Sequence, residues 1–249
     1  MLEGRLRRRL RSLNLNSCSD YCAYVFSGDG HPEEVPHLID VVTTNKTDFF
    51  RESKHFEYLT GIAVPTLLRG DSRSLLFWSA GCSTGEEPYT LAMVLSDYAE
   101  NTRGFRFQLL ATDISTQVLE HAQRAIYKSE LLRPVPADLR RKYVMRSRDR
   151  ASQLERIVPE LRALVEFRRL NLMDSDFGIG DPVDVIFCRN VIIYFDQPTR
   201  SALLNRFSRQ LRPGGYLFLG HSETLNGLDV PLLSVGPTVY RKPDGTPGR

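Results

Sequence analysis

Two adjacent glutamates close a glycine-containing loop, where a strand pattern gives way to a helix pattern. The loop, WSAGCSTGEEPYT, spans residues 78–90, and Gly81 and Gly85 allow its backbone to approach a ligand closely. Its glycine spacing differs from the G-x-G-x-x-G pattern of pyrophosphate-binding loops. A phosphate would also meet like charge at Glu86 and Glu87. We therefore expect a cationic ligand, although acids at a helix start also stabilise the helix without any ligand.

An aspartate follows the next strand pattern, in the segment ATDIS. Asp113 stands at the end of an apolar strand pattern over residues 105–111. In doubly wound folds an acid at this place binds the ribose hydroxyls of an adenosine-containing ligand. The alternative is that it caps the helix predicted over residues 116–126. A cationic group and an adenosine together indicate S-adenosylmethionine.

Polar residues stand between two apolar runs in IFCRNVIIYFD, residues 186–196. Arg189, Asn190 and Tyr194 follow a strand predicted over residues 183–188. We expect them at the carboxyl edge of the sheet, where ligands of such folds bind. A buried structural network is the other explanation. The later segment LRPGGYLFLG predicts a tight turn before a strand and marks the fold, not the chemistry.

Strand patterns alternate with helix patterns from residue 75 onward, which is typical of an α/β fold with a doubly wound, mostly parallel sheet. The strands are predicted over residues 75–78, 105–111, 183–188 and 216–219, and the helices over 86–100, 116–126 and 198–211. Residues 139–165 are rich in Arg, Ser and Asp and predict an inserted β-hairpin. Residues 1–68 predict a small N-terminal helical domain, followed by a second domain over 69–249.

The first predicted helix is amphipathic and unusually basic. Its leucines recur at helical spacing, while arginines occupy the other faces: Arg5, Arg7, Arg8, Arg9 and Arg11. Such a face complements an acidic protein partner, or it is simply solvated. Nucleic acid is disfavoured because no aromatic residues are interleaved with these arginines.

The bulk composition excludes several other classes of protein. The chain has 249 residues and a net charge of only +3, and no apolar run approaches the roughly 18 residues that a membrane span needs. It lacks the apolar core of a signal peptide, so we expect a cytoplasmic protein without membrane insertion. We also expect a monomer. Its four cysteines do not complete a zinc pattern, and we predict no metal site.

Six segments taken in order resemble the CheR family of chemotaxis receptor methyltransferases. They are TNKTDFFRE, WSAGCSTGEEPYT, ATDIS, NLMDSDF, CRNVIIYFD and LRPGGYLFLGHSE, and the resemblance runs from about residue 5 to 241. It implies a class I methyltransferase-like domain that transfers a methyl group from S-adenosylmethionine to receptor glutamates. The products would be glutamyl methyl esters and S-adenosylhomocysteine, and the cytoplasmic helical region of methyl-accepting receptors would be the partner.

The resemblance also implies roles for individual residues. Arg51 and Tyr194 would stand nearest the transferred methyl group. The cofactor would contact Asn45, Thr47, Arg51, Gly81, Glu86 or Glu87, Asp113, Asn171, Leu172, Cys188, Arg189 and Asn190. Which of the paired glutamates makes the direct contact is open at this point.

Two departures from the family pattern accompany the resemblance. The helical domain of the family usually begins some tens of residues earlier, so we expect an opening helix to be missing. In some members the inserted hairpin docks a receptor pentapeptide, but the predicted turn at residues 147–153 contains no glycine. We therefore do not predict receptor tethering.

Two other functions compete with receptor methylation. Transfer to RNA or to a small molecule would call for an acceptor motif such as Asp-Pro-Pro-Tyr, which is absent from the sequence. A non-catalytic cofactor-binding module would show erosion at Arg51, Asp113 or Tyr194, yet all three stand in their motifs.

Overall fold

A seven-stranded, mostly parallel sheet forms the centre of the molecule in the computed structural model, which describes residues 2–27, 31–43, 45–70 and 73–245. The strands are β1 Ser74–Ala80, β2 Arg106–Asp113, β3 Ile126–Lys128, β4 Val144–Arg146, β5 Leu154–Ile157, β6 Val165–Arg169, β7 Val183–Cys188, β8 Leu211–Leu219, β9 Leu233–Gly236 and β10 Val239–Arg241. The sheet order is β6-β2-β1-β7-β8-β10-β9. The predicted fold class is confirmed.

Helices cover the faces of the sheet and form the N-terminal region. They are α1 Leu2–Ser12, α2 Cys18–Phe26, α3 Val35–Val42, α4 Lys54–Tyr58, α5 Val64–Leu67, α6 Glu86–Glu100, α7 Thr116–Arg124, α8 Ala137–Tyr143, α9 Pro159–Arg162 and α10 Gln197–Gln210. A π-helical turn, Leu59–Ala63, joins α4 to α5. None of the described helices combines the length and apolar character that crossing a membrane requires.

The order of the strands creates the crevice that positions the site. Strand β1 pairs in parallel with β2 on one side and with β7 on the other. The chain thus builds outward from β1 through β2 and then returns to the other side of β1. Ligands of doubly wound folds bind at such a switch point, outside the carboxyl ends of the strands. Strand β7 is buried along its whole length, as expected of a central parallel strand.

The strands of the large sheet that the sequence did not predict lie at its edges or next to them. Strand β6 pairs only with β2 and alternates charged with apolar residues, which obscures its pattern. At the other edge β9 and β10 pair antiparallel, and β10 joins β8. Short edge strands bury little apolar surface, so their sequences carry a weak signal.

The insertion is a three-stranded antiparallel sheet of order β3-β5-β4, not a two-stranded hairpin. The prediction missed β3 because residues 116–126 have a continuous helical pattern. In the structure Ala125 adopts a left-handed backbone with φ +53° and ends α7 at Arg124. The insertion therefore begins at Ile126 and not at residue 139.

Hydrophobic packing separates α1–α3 from the rest of the described chain. These helices form a small cluster around Leu6, Leu10, Tyr21 and Val25. The segment from Phe49 to Leu68 instead packs into the large core on one face of the sheet. The division in the packing therefore precedes residue 49, earlier than the domain boundary predicted at residue 68.

Candidate active site

The glycine loop turns sharply between β1 and α6. Gly81 has φ +87°, and a Cβ placed on it would lie 2.5 Å from the Val191 side chain. Its N–H donates to the Thr112 carbonyl over 2.8 Å, which ties the loop to the end of β2. Only glycine provides both the backbone conformation and the space here. The loop is thereby fixed beside the carboxyl ends of β2 and β7.

Asp113 lies at the end of β2 with its carboxylate almost buried. One oxygen accepts the Ser83 N–H over 2.8 Å and the other accepts the Ser115 N–H over 3.0 Å. Burial raises the pKa of Asp113, although these backbone hydrogen bonds oppose the shift. The N-cap of α7 is Ser115, whose hydroxyl accepts the Val118 N–H. Asp113 therefore does not cap the helix, and it faces the cavity described below.

The paired glutamates of the loop occupy different environments. Glu87 accepts the Ser79 hydroxyl over 2.7 Å and lies 3.5 Å from the Arg189 guanidinium. Glu86 accepts the Thr84 hydroxyl over 2.6 Å. Burial raises the pKa of both carboxyls, that of Glu86 to about 7, and Arg189 partly offsets the shift of Glu87. Of the pair, Glu87 lines the cavity.

The end of β7 places a buried arginine among carboxylates. The Arg189 side chain is 2% exposed and pairs with Glu52 at 3.3 Å and with Glu87 at 3.5 Å. It also donates to the Arg51 carbonyl. Asn190 follows with φ +60°, and its N–H donates to Glu223 over 2.8 Å. The alternative of a buried network thus describes Arg189 well, although both residues also line the cavity.

The two residues expected near the methyl group come from separate segments. Arg51 lies on the turn before α4 and donates to the Lys46 carbonyl over 3.0 Å. Tyr194 ends a 3₁₀ turn after β7 and is 62% exposed. Both line the same cavity. The fold thus brings together residues 143 positions apart in the chain.

A cavity of about 460 Å³ collects most of the candidate residues, which is a usual size for a ligand site. Those that line it are Asn45, Thr47, Arg51, Gly81, Glu87, Asp113, Asn171, Leu172, Arg189, Asn190 and Tyr194. The lining does not include Glu86 or Cys188. Cys188 is fully buried, and burial raises the pKa of its thiol. The structure thus favours Glu87 as the glutamate that meets a ligand.

Two glutamates near the site, the half-buried Glu52 and the buried Glu223, were not among the predicted residues. Glu52 directly follows Arg51 and pairs with Arg189. Glu223 is 3% exposed and accepts the N–H groups of Asn190 and Gly220. Glu52 is the last residue of the motif TNKTDFFRE, and Glu223 is the last residue of LRPGGYLFLGHSE. A glutamate in each motif was the signal that the sequence offered for these two site residues. It was not used, because charged residues in a turn usually face solvent.

One cluster of described residues has the composition of a metal site. Glu52, His55 and His221 each offer a ligand atom within 4.8 Å of the others. The Glu52 carboxylate is already paired with Arg189, whose positive charge opposes a second cation at the same oxygen. We do not propose a metal site, and the expected absence of a metal stays a prediction.

The basic helix presents only part of its arginine set to solvent. Arg7, Arg8 and Arg11 are exposed. Arg9 instead binds the buried Glu34, donating from Nε over 2.7 Å, and Glu34 also accepts the Tyr21 hydroxyl. Arg9 therefore joins α1 to the turn before α3 and does not form part of a free basic face. The side chain of Arg5 lies outside the described part of the chain.

The charges of the cavity suit the expected ligand. Glu87 and Asp113 have raised pKa values because burial is incompletely compensated by positive charge. A cationic group would compensate such acids, and ribose hydroxyls would donate to them. The apolar side chains that share the wall suit an adenine ring. The residues present therefore fit S-adenosylmethionine.

Comparison with known proteins agrees with this geometry. The family description "CheR methyltransferase, SAM binding domain" matches residues 45–240, and "CheR methyltransferase, all-alpha domain" matches residues 1–43. A chemotaxis protein methyltransferase of Borreliella burgdorferi is 40% identical over 247 residues, which are 97% of this chain and 86% of the relative. Chemotaxis protein methyltransferase 2 of Pseudomonas aeruginosa is 42% identical over 240 residues, 96% of this chain and 84% of the relative. The Escherichia coli chemotaxis protein methyltransferase is 42% identical over 240 residues, 96% of this chain and 82% of the relative. The chain therefore belongs to the CheR family of S-adenosylmethionine-dependent methyltransferases.

Proposed function

We propose that this enzyme methylates glutamate side chains on the cytoplasmic helical region of chemotaxis receptors. The products are glutamyl methyl esters and S-adenosylhomocysteine. The observation that carries the proposal is that Glu87 and Asp113 line the same cavity as Arg51 and Tyr194. Acids suit the cationic methyl donor, and an arginine suits an anionic acceptor.

The donor would be held mainly by residues of the glycine loop and of the strand ends. Glu87 would accept from the α-amino group and Asp113 from the ribose hydroxyls. Asn171, after β6, and Asn190, after β7, supply amide groups and line the same cavity. When bound, S-adenosylmethionine supplies an electrophilic methyl group on a sulfonium.

The acceptor requires no general base. A glutamate side chain has an ordinary pKa near 4.3, so its carboxylate is already ionised at neutral pH. The carboxylate oxygen forms a bond to the methyl carbon, and the electron pair of the broken C–S bond stays on sulfur. Acceleration then comes mainly from holding the reacting atoms in line and excluding water.

Arg51 and Tyr194 would carry out that positioning. The Arg51 guanidinium can donate to the carboxylate while one N–H remains on the Lys46 carbonyl. Tyr194 can donate its hydroxyl to the carboxylate or form the wall beside the methyl group. A tight ion pair would weaken the nucleophile, so orientation is the role that we assign to Arg51.

The exposed arginines of α1 supply a surface for the partner. Receptor methylation regions are acidic helical coiled coils, and Arg7, Arg8 and Arg11 have the complementary charge. Such a face increases the rate of encounter, and its effect falls as salt screens the charges. Methylation by the wild type should accordingly weaken with rising ionic strength.

Radiolabelled methyl transfer from S-adenosylmethionine to receptor cytoplasmic fragments tests the proposal. The label should be released by mild base, as esters are, and should be absent when the methylatable glutamates are replaced by alanine. R51A should lower turnover and also weaken cofactor binding. Base-stable label would indicate another acceptor chemistry, and tight cofactor binding without transfer would indicate a non-catalytic module.

A further inference from the structure

The turn that carries Arg51 has an unusual backbone. Phe50 and Glu52, on either side of Arg51, both adopt φ +55°. A left-handed conformation costs non-glycine residues roughly 1–2 kcal/mol each. Such residues persist only where the surrounding structure enforces them. The contacts that enforce this turn therefore determine where Arg51 lies.

Arg189, at the end of β7, contacts two successive residues of this turn. It donates to the Arg51 carbonyl, and its Nε lies 3.3 Å from a Glu52 carboxylate oxygen. The guanidinium also stacks on the rings of Phe56 and Phe187, at 5.4 and 5.9 Å from their centroids. With only 2% of its side chain exposed, Arg189 has little freedom to move.

Glu52 also connects the Arg51 turn to the segment that follows β8. Its other oxygen accepts the His221 N–H over 3.2 Å. Burial alone would raise the pKa of Glu52, but the Arg189 charge and the His221 N–H outweigh it and lower the pKa. Burial and Arg189 lower the pKa of neighbouring His55 to about 4, so this histidine is neutral at pH 7. Arg189 is thus the charged partner of Glu52.

The same arginine also contacts the cofactor side of the cavity. Glu87, the glutamate that lines it, lies 3.5 Å from Arg189. One buried cation therefore serves two carboxylates, one on the Arg51 turn and one on α6. The two parts of the site are joined through a single guanidinium.

We propose that Glu52 and Arg189 are positioning residues that hold Arg51 in its working place. The inference rests on the proposed function, in which Arg51 orients the acceptor carboxylate. Neither residue needs to touch the acceptor. Their effect on catalysis passes through the backbone of the Arg51 turn.

The variant E52Q tests the proposal because glutamine keeps the size and an acceptor oxygen but loses the charge. The control is E57Q, five residues later, where an exposed glutamate pairs with Lys54 on the surface. We expect E52Q to lower kcat by roughly ten- to hundredfold, since small misplacements of positioning groups cost that much. Its affinity for S-adenosylhomocysteine, measured by calorimetry, should fall by less than about fivefold and by no more than in R51A, because E52Q displaces Arg51 without removing it. E57Q should match the wild type in both.

A double-mutant cycle separates positioning from general support of the fold. If Glu52 acts through Arg51, the double variant R51A/E52Q should turn over at the rate of R51A alone. Multiplied losses in the double variant would overturn the proposal, as would a wild-type kcat for E52Q.

Hydrogen–deuterium exchange measures the turn without any turnover. The Arg51 N–H donates to the Asp48 carbonyl over 3.3 Å, and the Phe50 N–H donates to the Thr90 hydroxyl over 3.1 Å. E52Q should speed exchange in this segment at least tenfold over E57Q, and equal rates would overturn the proposal. If wild-type protein transfers no methyl group, or if R51A is fully active, the proposed function fails instead. Exchange then still decides whether Glu52 holds the turn.

Discussion

Neutralising each of the paired glutamates in turn tests which one meets the methyl donor. E87Q removes a charge from the cavity wall while keeping the size of the side chain. E86Q makes the same chemical change one residue earlier, at a side chain that does not line the cavity. The two variants are therefore matched in chemistry and differ in location.

The structure gives the expected size of each effect. A hydrogen bond to a charged group contributes about 1.5–3 kcal/mol, so E87Q should weaken donor binding by roughly ten- to 150-fold. Arg189, 3.5 Å from Glu87, would then oppose the cationic ligand with less compensation, which acts in the same direction. Glu86 does not line the cavity, and with a pKa of about 7 it is about half protonated at neutral pH. E86Q should therefore change affinity by less than about threefold.

Calorimetric titration with S-adenosylmethionine and S-adenosylhomocysteine measures both variants. Both ligands carry the α-amino group, so E87Q should weaken the binding of both. Thermal unfolding of each variant checks that its fold is intact. A larger loss in E86Q than in E87Q, or equal losses, would refute the assignment of Glu87.

Three further perturbations follow from the burial and backbone of particular residues. Because the pKa of Glu86 rises from 4.5 to about 7, the folded state binds its proton more tightly than the unfolded chain. Its contribution to stability should fall by about 3 kcal/mol as pH rises from about 4.5 to 7, and E86Q should remove this slope in denaturant unfolding. G81A should cost about 1–3 kcal/mol more than G104A in the same assay, since both have positive φ but only Gly81 lacks space for a Cβ. R9A should destabilise the N-terminal helices by about 2 kcal/mol because the buried Glu34 carboxylate loses its positively charged partner. R8A, the control, should change stability by less than about 0.5 kcal/mol.

The fold class could be predicted because the central strands carry a strong signal. Strands β1, β2, β7 and β8 are apolar over several consecutive residues, as expected when both faces of a strand are buried. The edge strands and the first strand of the insertion are only three to five residues long, and β6 contains three charged residues. The helix before β3 ends through the backbone conformation of Ala125, for which alanine gives no sequence signal.

The location of the site could be predicted, but the connections inside it could not. Parallel strands bring their carboxyl ends to one edge, so residues after β1, β2 and β7 had to meet there. The pairing of Arg189 with Glu52 joins residues 137 positions apart. Arg9 and Glu34 are likewise 25 positions apart, and neither pairing leaves a periodic pattern. Such long-range pairs are decided by tertiary packing.

The charges of the site favour a carboxylate acceptor over a neutral one. Asp113 is buried and the Glu87 side chain is 13% exposed, and a cationic donor would compensate both acids. Arg51 lines the same cavity and uses one of its five N–H donors on the Lys46 carbonyl. An amine or an amide would gain little from this guanidinium, whereas a carboxylate would gain a charge-assisted hydrogen bond. Receptor fragments with glutamine at the methylatable positions should therefore accept no label and should compete at least tenfold less well than glutamate fragments; equal competition would show that Arg51 does not recognise the acceptor charge.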